Sequence, residues 1–456
     1  MTKRFSNLII ITLFVFLLSA AARGETFYAY LNGAQEVPAV ATSATGYARV
    51  FVNESTMTLT FTVVFNGLSS AQTLSHIHAP GVIGANGPVA IDFGAVGGTS
   101  GTITGTRSIT ATQLSQIRAH QGYVNVHSTN FGGGEIRGQL GIKRPVDFDG
   151  DGRQDYSVWR FPSVSPPGVA PVTWWNLNST GGVQSGQQWG DANRDYPAPG
   201  DYDGDGRDDY AIFRGGTNIG DQSEFWILRS SDSTLFYNAW GTNGDIAVAR
   251  DYDGDGRTDV AVFRRGTPSV WYIRQTSNGV DRAVAWGTNG ATVSDRDYPV
   301  PGDYDGDGKF DLAVYRSGAL SPANTYIVLR SSDGAAVYQQ WGNFNSDYVL
   351  PGDYDGDGKY DYAIARTGAS ATNPLVWWIL QSSNGQTRVQ VWGNSADIPV
   401  QGDYDGDARA DIAIYRQGAT AGAASNFWVL RSFTNTSLTT QWGIRGDFAV
   451  NSFDIR

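Results

Sequence analysis

The stretch D-Y-D-G-D-G-R-D-D at residues 201–209 recurs in near-copies along the chain. In the first copy Phe148 replaces the Tyr at position 2, and in the last Ala408 replaces the Gly at position 6. Successive copies are 50 to 54 residues apart, and a fixed period of this length indicates an array of similar supersecondary units. The six copies begin at Asp147, Asp201, Asp251, Asp303, Asp353 and Asp403.

Each copy has the composition of a calcium loop. Carboxylates at positions 1, 3, 5 and 9, with a turn Gly at position 6, provide the oxygen ligands that Ca²⁺ prefers, and the carbonyl of position 7 adds another. The alternative is a hydrogen-bonded turn without metal, in which four close carboxylates would repel one another. The predicted ligands for up to six Ca²⁺ ions are Asp147, Asp149, Asp151, Arg153, Asp155, Asp201, Asp203, Asp205, Arg207, Asp209, Asp251, Asp253, Asp255, Arg257, Asp259, Asp303, Asp305, Asp307, Lys309, Asp311, Asp353, Asp355, Asp357, Lys359, Asp361, Asp403, Asp405, Asp407, Arg409 and Asp411.

The sequence between the acidic loops predicts four short strands per unit. In the fifth unit these strands are residues 361–366, 376–380, 388–393 and 397–400, with a hairpin turn at 382–385. Four strands in about 50 residues form one blade of a β-propeller. Six loops predict six blades. The final segment, 446–456, looks like a spare first strand, which would either close the ring or begin a seventh blade.

The first residues have the pattern of an export signal. Lys3 and Arg4 precede an apolar stretch at 8–18 and three alanines at 20–22, so residues 1–24 are expected to be a signal peptide, with a retained anchor as the alternative. The apolar stretch is shorter than the roughly 20 residues that span a bilayer. The mature chain is therefore expected outside the cytoplasm, secreted or at the cell surface, with no membrane span. It has no cysteine, so its stability must come from a β core and bound metal.

The charge distribution excludes one class of partner. The formal net charge is -11, and positions 1, 3, 5 and 9 of the six acidic loops hold 24 of the 44 acidic side chains. Nucleic-acid binding requires basic patches, so it is not expected.

Residues 25–141 form a different region, with all four histidines and no acidic loop. Alternating stretches at 47–52, 59–65 and 123–127 predict strands, a short helix is expected at 110–119, and the whole predicts a β-sandwich. His76 and His78 lie two apart on a strand and share a face. With His127 and Glu135 they could hold Zn²⁺ or Cu²⁺, or all four could form hydrogen bonds within the domain.

Two further motifs have plain structural interpretations. A Trp precedes Gly at one place in every unit, and this recurrence favours packing between blades over a ladder of sugar-binding rings. The tripeptide Arg445-Gly446-Asp447 stands where other units have N-G-D or S-A-D, so it is interpreted as a repeat position. The sequence contains no G-x-S-x-G, H-E-x-x-H or cysteine nucleophile. The six Trp residues are Trp189, Trp240, Trp286, Trp341, Trp392 and Trp442.

Both regions resemble known families. The strings L-N-G-A-Q-E-V-P (31–38), H-I-H-A-P-G (76–81), N-G-P-V (86–89), Y-V-N-V-H-S (123–128) and G-G-E-I-R-G-Q-L (133–140) resemble a CHRD domain. That resemblance implies a secreted β-sandwich without an established activity. The repeats resemble FG-GAP or VCBS repeats of integrin alpha propellers, which implies that each acidic loop joins the first two strands of a blade. The expected division is 1–24 signal peptide, 25–141 CHRD-like domain and 142–456 propeller.

These observations predict an all-β, secreted calcium-binding protein for adhesion or for interaction with an extracellular protein or glycan. Two alternatives stay open: a secreted enzyme, using propeller carboxylates or a metal on the CHRD-like domain, and a purely structural surface protein. The connections at the blade edge away from the acidic loops vary in length, so specificity is expected there. These connections are residues 161–172, 215–223, 265–268, 317–324 and 417–425.

Overall fold

The fold was analysed in a computed structural model, which describes residues 24–53, 55–82, 84–118, 121–142, 146–162, 170–179, 182, 184–289, 296–316, 324–342, 347–432 and 434–450. The predicted signal peptide lies outside these residues except for Gly24. Within this part of the chain, no helix is long and apolar enough to span a membrane.

In its described residues, the N-terminal domain has nine strands, a 3-10 turn and a short helix. The 3-10 turn is Gly33–Gln35 and the helix α1 is Ala111–Arg118, close to the predicted helix. Thr110 caps α1, because its hydroxyl accepts a hydrogen bond from the Gln113 amide at 3.2 Å. The strands are β1 (Gly24–Asn32), β2 (Thr45–Asn53), β3 (Thr58–Asn66), β4 (Gln72–His78), β5 (Val89–Asp92), β6 (Gly101–Ser108), β7 (Tyr123–Ser128), β8 (Ile136–Gln139) and β9 (Gly141–Ile142).

These strands form one sheet in the order β5-β4-β7-β8-β1-β2-β3-β6, with β9 paired to β1. The sheet curls until it nearly closes, so the two layers expected of a sandwich are halves of one continuous sheet. Alternation decides which side faces inward. In β2, for example, Ala48, Val50 and Val52 are buried, while Tyr47 points outward. The enclosed core also contains Phe27, Phe61, Val126 and Ile136.

The propeller contains six four-stranded sheets, which confirms the predicted blade number. Each acidic loop from the second to the sixth joins the first two strands of a blade, as the family resemblance implied. The strands of blade 1 are β10 (Tyr156–Arg160), β11 (Pro171–Leu177) and β12 (Gln184–Asp191); of blade 2, β13 (Asp195–Pro197), β14 (Tyr210–Arg214), β15 (Gln222–Leu228) and β16 (Leu235–Thr242); of blade 3, β17 (Ile246–Ala247), β18 (Val260–Arg264), β19 (Val270–Arg274) and β20 (Asp281–Ala285); of blade 4, β21 (Asp297–Pro299), β22 (Leu312–Arg316), β23 (Thr325–Leu329) and β24 (Ala336–Gln340); of blade 5, β25 (Asp347–Val349), β26 (Tyr362–Arg366), β27 (Pro374–Leu380) and β28 (Thr387–Asn394); and of blade 6, β29 (Ile398–Pro399), β30 (Ile412–Arg416), β31 (Ala424–Leu430) and β32 (Ser437–Ile444).

The ring is closed by the end of the chain. Strand β33 (Phe448–Ala449) pairs with β10 and supplies the fourth strand of blade 1. The segment that sequence analysis interpreted as a spare first strand therefore closes a six-bladed ring instead of beginning a seventh blade. Its last residues, 451–456, lie outside the described part of the chain.

The repeated Trp residues join neighbouring blades, which confirms the packing interpretation. Each half-buried indole N–H donates a hydrogen bond of 3.0 to 3.2 Å to a backbone carbonyl of the next blade. The last bond runs from Trp442 in blade 6 back to Trp175 in blade 1, so it also closes the ring. The donor and acceptor pairs are Trp189 and Trp226, Trp240 and Tyr272, Trp286 and Ile327, Trp341 and Trp378, Trp392 and Trp428, and Trp442 and Trp175.

A second repeated contact lies at the edge away from the acidic loops. In every blade an Arg at the end of the second strand forms a bidentate ion pair with a buried Asp near the first strand. Asp447 is one of these residues and pairs with Arg160 at 2.7 and 2.8 Å. The carboxylate of the R-G-D tripeptide is therefore occupied within the propeller, as the repeat interpretation predicted.

Candidate metal centres

The backbone of each acidic loop wraps around the carboxylate at position 1. In the second loop, Asp201 accepts hydrogen bonds from the amides of Gly204 at 2.6 Å and Gly206 at 2.9 Å. Asp209, at position 9, accepts one from the Tyr202 amide at 2.9 Å. These bonds fix both ends of the loop and aim its carboxylates toward one point. The same pattern of bonds recurs in the third to sixth loops.

The structure brings together some of the predicted ligands of a loop. In each of four loops, three carboxylates place one oxygen each within 4.8 Å of one another. Positions 1, 3 and 9 converge in the first and fourth loops, and positions 1, 3 and 5 in the second and third. The groups are Asp147, Asp149 and Asp155; Asp201, Asp203 and Asp205; Asp251, Asp253 and Asp255; and Asp303, Asp305 and Asp311.

A hairpin turn covers each loop, and sequence analysis missed this contact. Between the third and fourth strands of blade 2, the Ser230 amide donates to Asp209 at 2.7 Å and its hydroxyl donates to Asp205 at 3.0 Å. The Ser231 hydroxyl donates to Asp203 at 2.6 Å. The recurring Ser or Thr at this position of each hairpin, followed by a second Ser in blades 2 to 5, was the available signal. The residues equivalent to Ser230 are Ser179, Thr276, Ser331, Ser382 and Ser432.

Position 7 contributes more than the backbone carbonyl that was predicted as a ligand. In the first three loops its guanidinium forms an ion pair with the carboxylate at position 5, for example Arg207 with Asp205 at 2.8 Å. This ion pair neutralises part of the negative charge of the loop. The carbonyl ligand itself stays a prediction.

The electrostatics of the loops favour a bound cation. Burial, helped by the neighbouring Asp203 carboxylate, raises the pKa of Asp209 to about 7. Burial and Asp355 raise the pKa of Asp361 to about 8. Within the described residues, Asp407 Oδ2 is buried and meets no hydrogen-bond donor. Buried carboxyl groups are stable only when they are protonated, paired or coordinated, and an oxygen-only cluster of this kind is compatible with Ca²⁺.

The sixth loop keeps the same geometry despite its Ala. Ala408 has φ +67°, in the region that the equivalent glycines occupy at φ +82° to +95°. Its amide still donates to Asp403 at 2.8 Å. Position 6 therefore has a positive φ in the sixth loop as well, although Ala replaces Gly there. A residue with a Cβ pays about 1 kcal/mol for that conformation.

The N-terminal domain lies against the acidic-loop edge of the propeller. Gln35 donates a hydrogen bond to the Gly406 carbonyl of the sixth loop at 3.3 Å. Thr26 and Tyr28 of β1 line a small cavity together with residues of the second and third loops. Arg118, at the end of α1, interacts electrostatically with Asp303 and Asp307 of the fourth. Nothing in the sequence pattern predicted this docking, which leaves the opposite propeller edge as the more accessible one.

The structure brings together three of the four residues of the predicted transition-metal site and engages the fourth in other contacts. His76, His78 and His127 converge, with one ring nitrogen of each within 4.8 Å of the others. Glu135 instead accepts hydrogen bonds from the Ser69 amide and from three hydroxyl groups, which occupy both of its carboxylate oxygens. The histidines therefore form a cluster, while Glu135 joins strands and loops of the domain.

Comparison with known families agrees with this architecture. Residues 27–140 match the CHRD domain, and residues 251–314 match an FG-GAP-like repeat that runs from the third acidic loop to β22. No curated protein matches the chain. A propeller with FG-GAP repeats is typical of adhesion and interaction proteins, and its clustered aspartates are compatible with metal binding.

Proposed function

We propose that the chain is a secreted, calcium-loaded interaction protein that binds an extracellular protein or glycan through the propeller edge opposite the acidic loops. The basic and apolar segment at 3–18 supports export and a signal peptide at 1–24. The CHRD match at 27–140 and the first acidic loop at 147 support the division of the remainder into residues 25–141 and 142–456. The converging carboxylates and their raised pKa values support calcium.

Calcium has a structural role in this proposal. Each loop from the second to the sixth connects the first two strands of its blade and, through Ser230 or its equivalent, contacts the hairpin between the last two. An ion at the centre would stabilise three connected segments at once. Such a scaffold holds the variable loops of the other edge in place without taking part in recognition.

The observation that carries the binding face is a pocket of about 230 Å³ between blades 1 and 2. Trp159, Phe161 and Tyr196 line it, and it lies beside the first of the variable connections. Phe161 is 40% exposed and Tyr196 is 61% exposed, so both rings are available to a partner at the mouth of this pocket. Exposed aromatic rings around a pocket suit stacking on a sugar or insertion of an apolar side chain.

The proposal is tested with the full mature chain on arrays of glycans and extracellular-matrix proteins, in Ca²⁺ and after chelation. We expect Tyr196→Ala to weaken binding at least tenfold, because a buried aromatic contact is worth more than about 1.4 kcal/mol. Tyr338→Ala is the matched control, since Tyr338 is an exposed ring on β24 of blade 4. The proposal is wrong if nothing on either array binds, or if both variants bind as the parent does.

A further inference from the structure

The three converging histidines form a built site in the N-terminal domain. His76 and His78 lie on β4, and His127 lies on the adjacent strand β7. All three side chains are buried, with 6 to 9% of each residue exposed. Two β-strands therefore hold the three rings, and strands position side chains more rigidly than loops do.

Each ring has one nitrogen engaged on its outer side. His78 Nδ1 lies 2.9 Å from the Gly87 carbonyl, and His127 Nδ1 lies 3.0 Å from the Gly132 carbonyl. His76 Nε2 faces Asp92 Oδ1 at 3.7 Å. The two carbonyls make Nδ1 of His78 and of His127 the N–H, so their lone pairs are left on the inner Nε2 atoms. The Asp92 carboxylate favours the same arrangement in His76, with the proton on the outer Nε2.

The inner ring nitrogens of the three histidines face one another, and they have too few hydrogen-bond donors. His76 Nδ1 lies 3.2 Å from His127 Nε2. His78 Nε2 is buried and has no hydrogen-bond partner among the described residues. Three acceptor nitrogens that point at one place repel one another unless a proton or a metal ion lies between them.

The surrounding residues fix the ring of His78. It stacks on Tyr123 with ring centroids 4.7 Å apart and an interplanar angle of 1°. The guanidinium of Arg137 lies 3.4 Å from the Tyr123 centroid and donates hydrogen bonds to the carbonyls of Val82 and Ala85. This arrangement prevents the imidazole from turning away from the cluster.

The protonation state agrees with ligation. Burial lowers the pKa of His76, His78 and His127, and the nearby charge of Arg137 lowers that of His78 further. The three rings are therefore neutral near pH 7, as metal-binding imidazoles must be.

We propose that His76 Nδ1, His78 Nε2 and His127 Nε2 bind one copper or zinc ion, with Asp92 and the two carbonyls as outer partners. Three nitrogen donors suit these borderline metals and not Ca²⁺, which takes oxygen ligands. A three-histidine set also leaves a coordination position for water or a small ligand. Glu135 is not a ligand, because its oxygens are already occupied.

The test uses the full mature chain without a histidine tag, dialysed after exposure to Cu²⁺ or Zn²⁺ in excess Ca²⁺, which occupies the acidic loops. His78→Phe keeps a ring against Tyr123 but removes the ligand nitrogen. Glu135→Gln is the matched control for the other predicted ligand, and Asp92→Asn tests the outer partner. Metal content is measured by mass spectrometry, nitrogen donors by electron paramagnetic resonance of the copper form, and folding by thermal unfolding.

We expect the parent chain and Glu135→Gln to retain about one ion per chain, copper showing three nitrogen donors. His78→Phe should lose it while still unfolding cooperatively, and Asp92→Asn should bind about 10- to 100-fold more weakly. If His78→Phe does not fold, the donor count on the parent decides the question. The proposal is overturned if the parent retains neither metal, if the copper form shows fewer than three nitrogen donors, or if a folded His78→Phe retains the ion.

Discussion

The propeller gathers acidic side chains and the N-terminal domain gathers histidines. As metal ligands, these two kinds of group need opposite charge states. The propeller gathers aspartates whose pKa values burial raises, whereas the N-terminal domain gathers histidines whose pKa values burial lowers. Burial disfavours the charged form in both, but a carboxylate ligand is charged and an imidazole ligand is neutral. Similar burial therefore favours protonation of the loop carboxylates in the absence of a cation, while it keeps the histidines in the neutral form that a metal ion requires.

The domains can also be observed separately. All 14 Trp residues lie in the propeller region, and all four His residues lie in the N-terminal region. Tryptophan fluorescence therefore reports unfolding of the propeller alone, and histidine resonances in proton NMR report the N-terminal domain.

The largest expected effect is that of calcium removal on the propeller. An ion that binds only the folded state contributes about 2.7 kcal/mol per site at a concentration 100 times its dissociation constant. We expect chelation to lower the unfolding temperature seen by tryptophan fluorescence markedly. At a temperature where the propeller has unfolded, the histidine resonances should keep the chemical-shift dispersion of the folded N-terminal domain. An unchanged fluorescence transition would remove the structural role of calcium.

A smaller effect is expected when the pH is changed in the presence of chelator. The stabilities of the two domains should then depend on pH in opposite directions. In the folded propeller the pKa values of Asp209 and Asp361 are raised to about 7 and 8, so their contribution to stability is lost as pH rises through this range. The histidine pKa values are lowered from 6.5, so their contribution is lost as pH falls below 6.5.

Lowering the pH from 8.5 to 6.5 in chelator should therefore raise the unfolding temperature of the propeller, and a further step to 5 should lower that of the N-terminal domain. Saturating Ca²⁺ should abolish the first effect, because the ion binds the deprotonated carboxylates. Parallel changes in both domains would show that their stabilities are not set by these groups.

The smallest effect concerns the one loop that departs from the pattern. Ala408→Gly should relieve the positive φ of +67° and stabilise the propeller by about 1 kcal/mol, strengthening the sixth site roughly fivefold. Ala410→Gly is the matched control two residues away, where φ is not positive. It should destabilise by about 0.5–1 kcal/mol. Equal effects of the two substitutions in tryptophan-monitored unfolding would contradict this assignment.

Local sequence patterns predicted much of the structure because they specify local geometry. The spacing of the aspartates determined the loops, and the repeat of Trp before Gly indicated blade contacts. The patterns could not show contacts between distant segments. The Ser230 hairpin over the second loop, the docking of Gln35 on the sixth loop, and the exclusion of Glu135 from the histidine cluster all depend on tertiary packing.

The most direct test of the account is a count of calcium ions per chain by equilibrium dialysis. The account predicts six sites, with the sixth loop releasing its ion first, and five sites after the double substitution Asp201→Asn and Asp203→Asn in the second loop. The number of calcium ions bound per chain should fall at lower pH, because the carboxylates take up protons. A chain that binds no calcium, or whose count is unchanged by that double substitution, would contradict it.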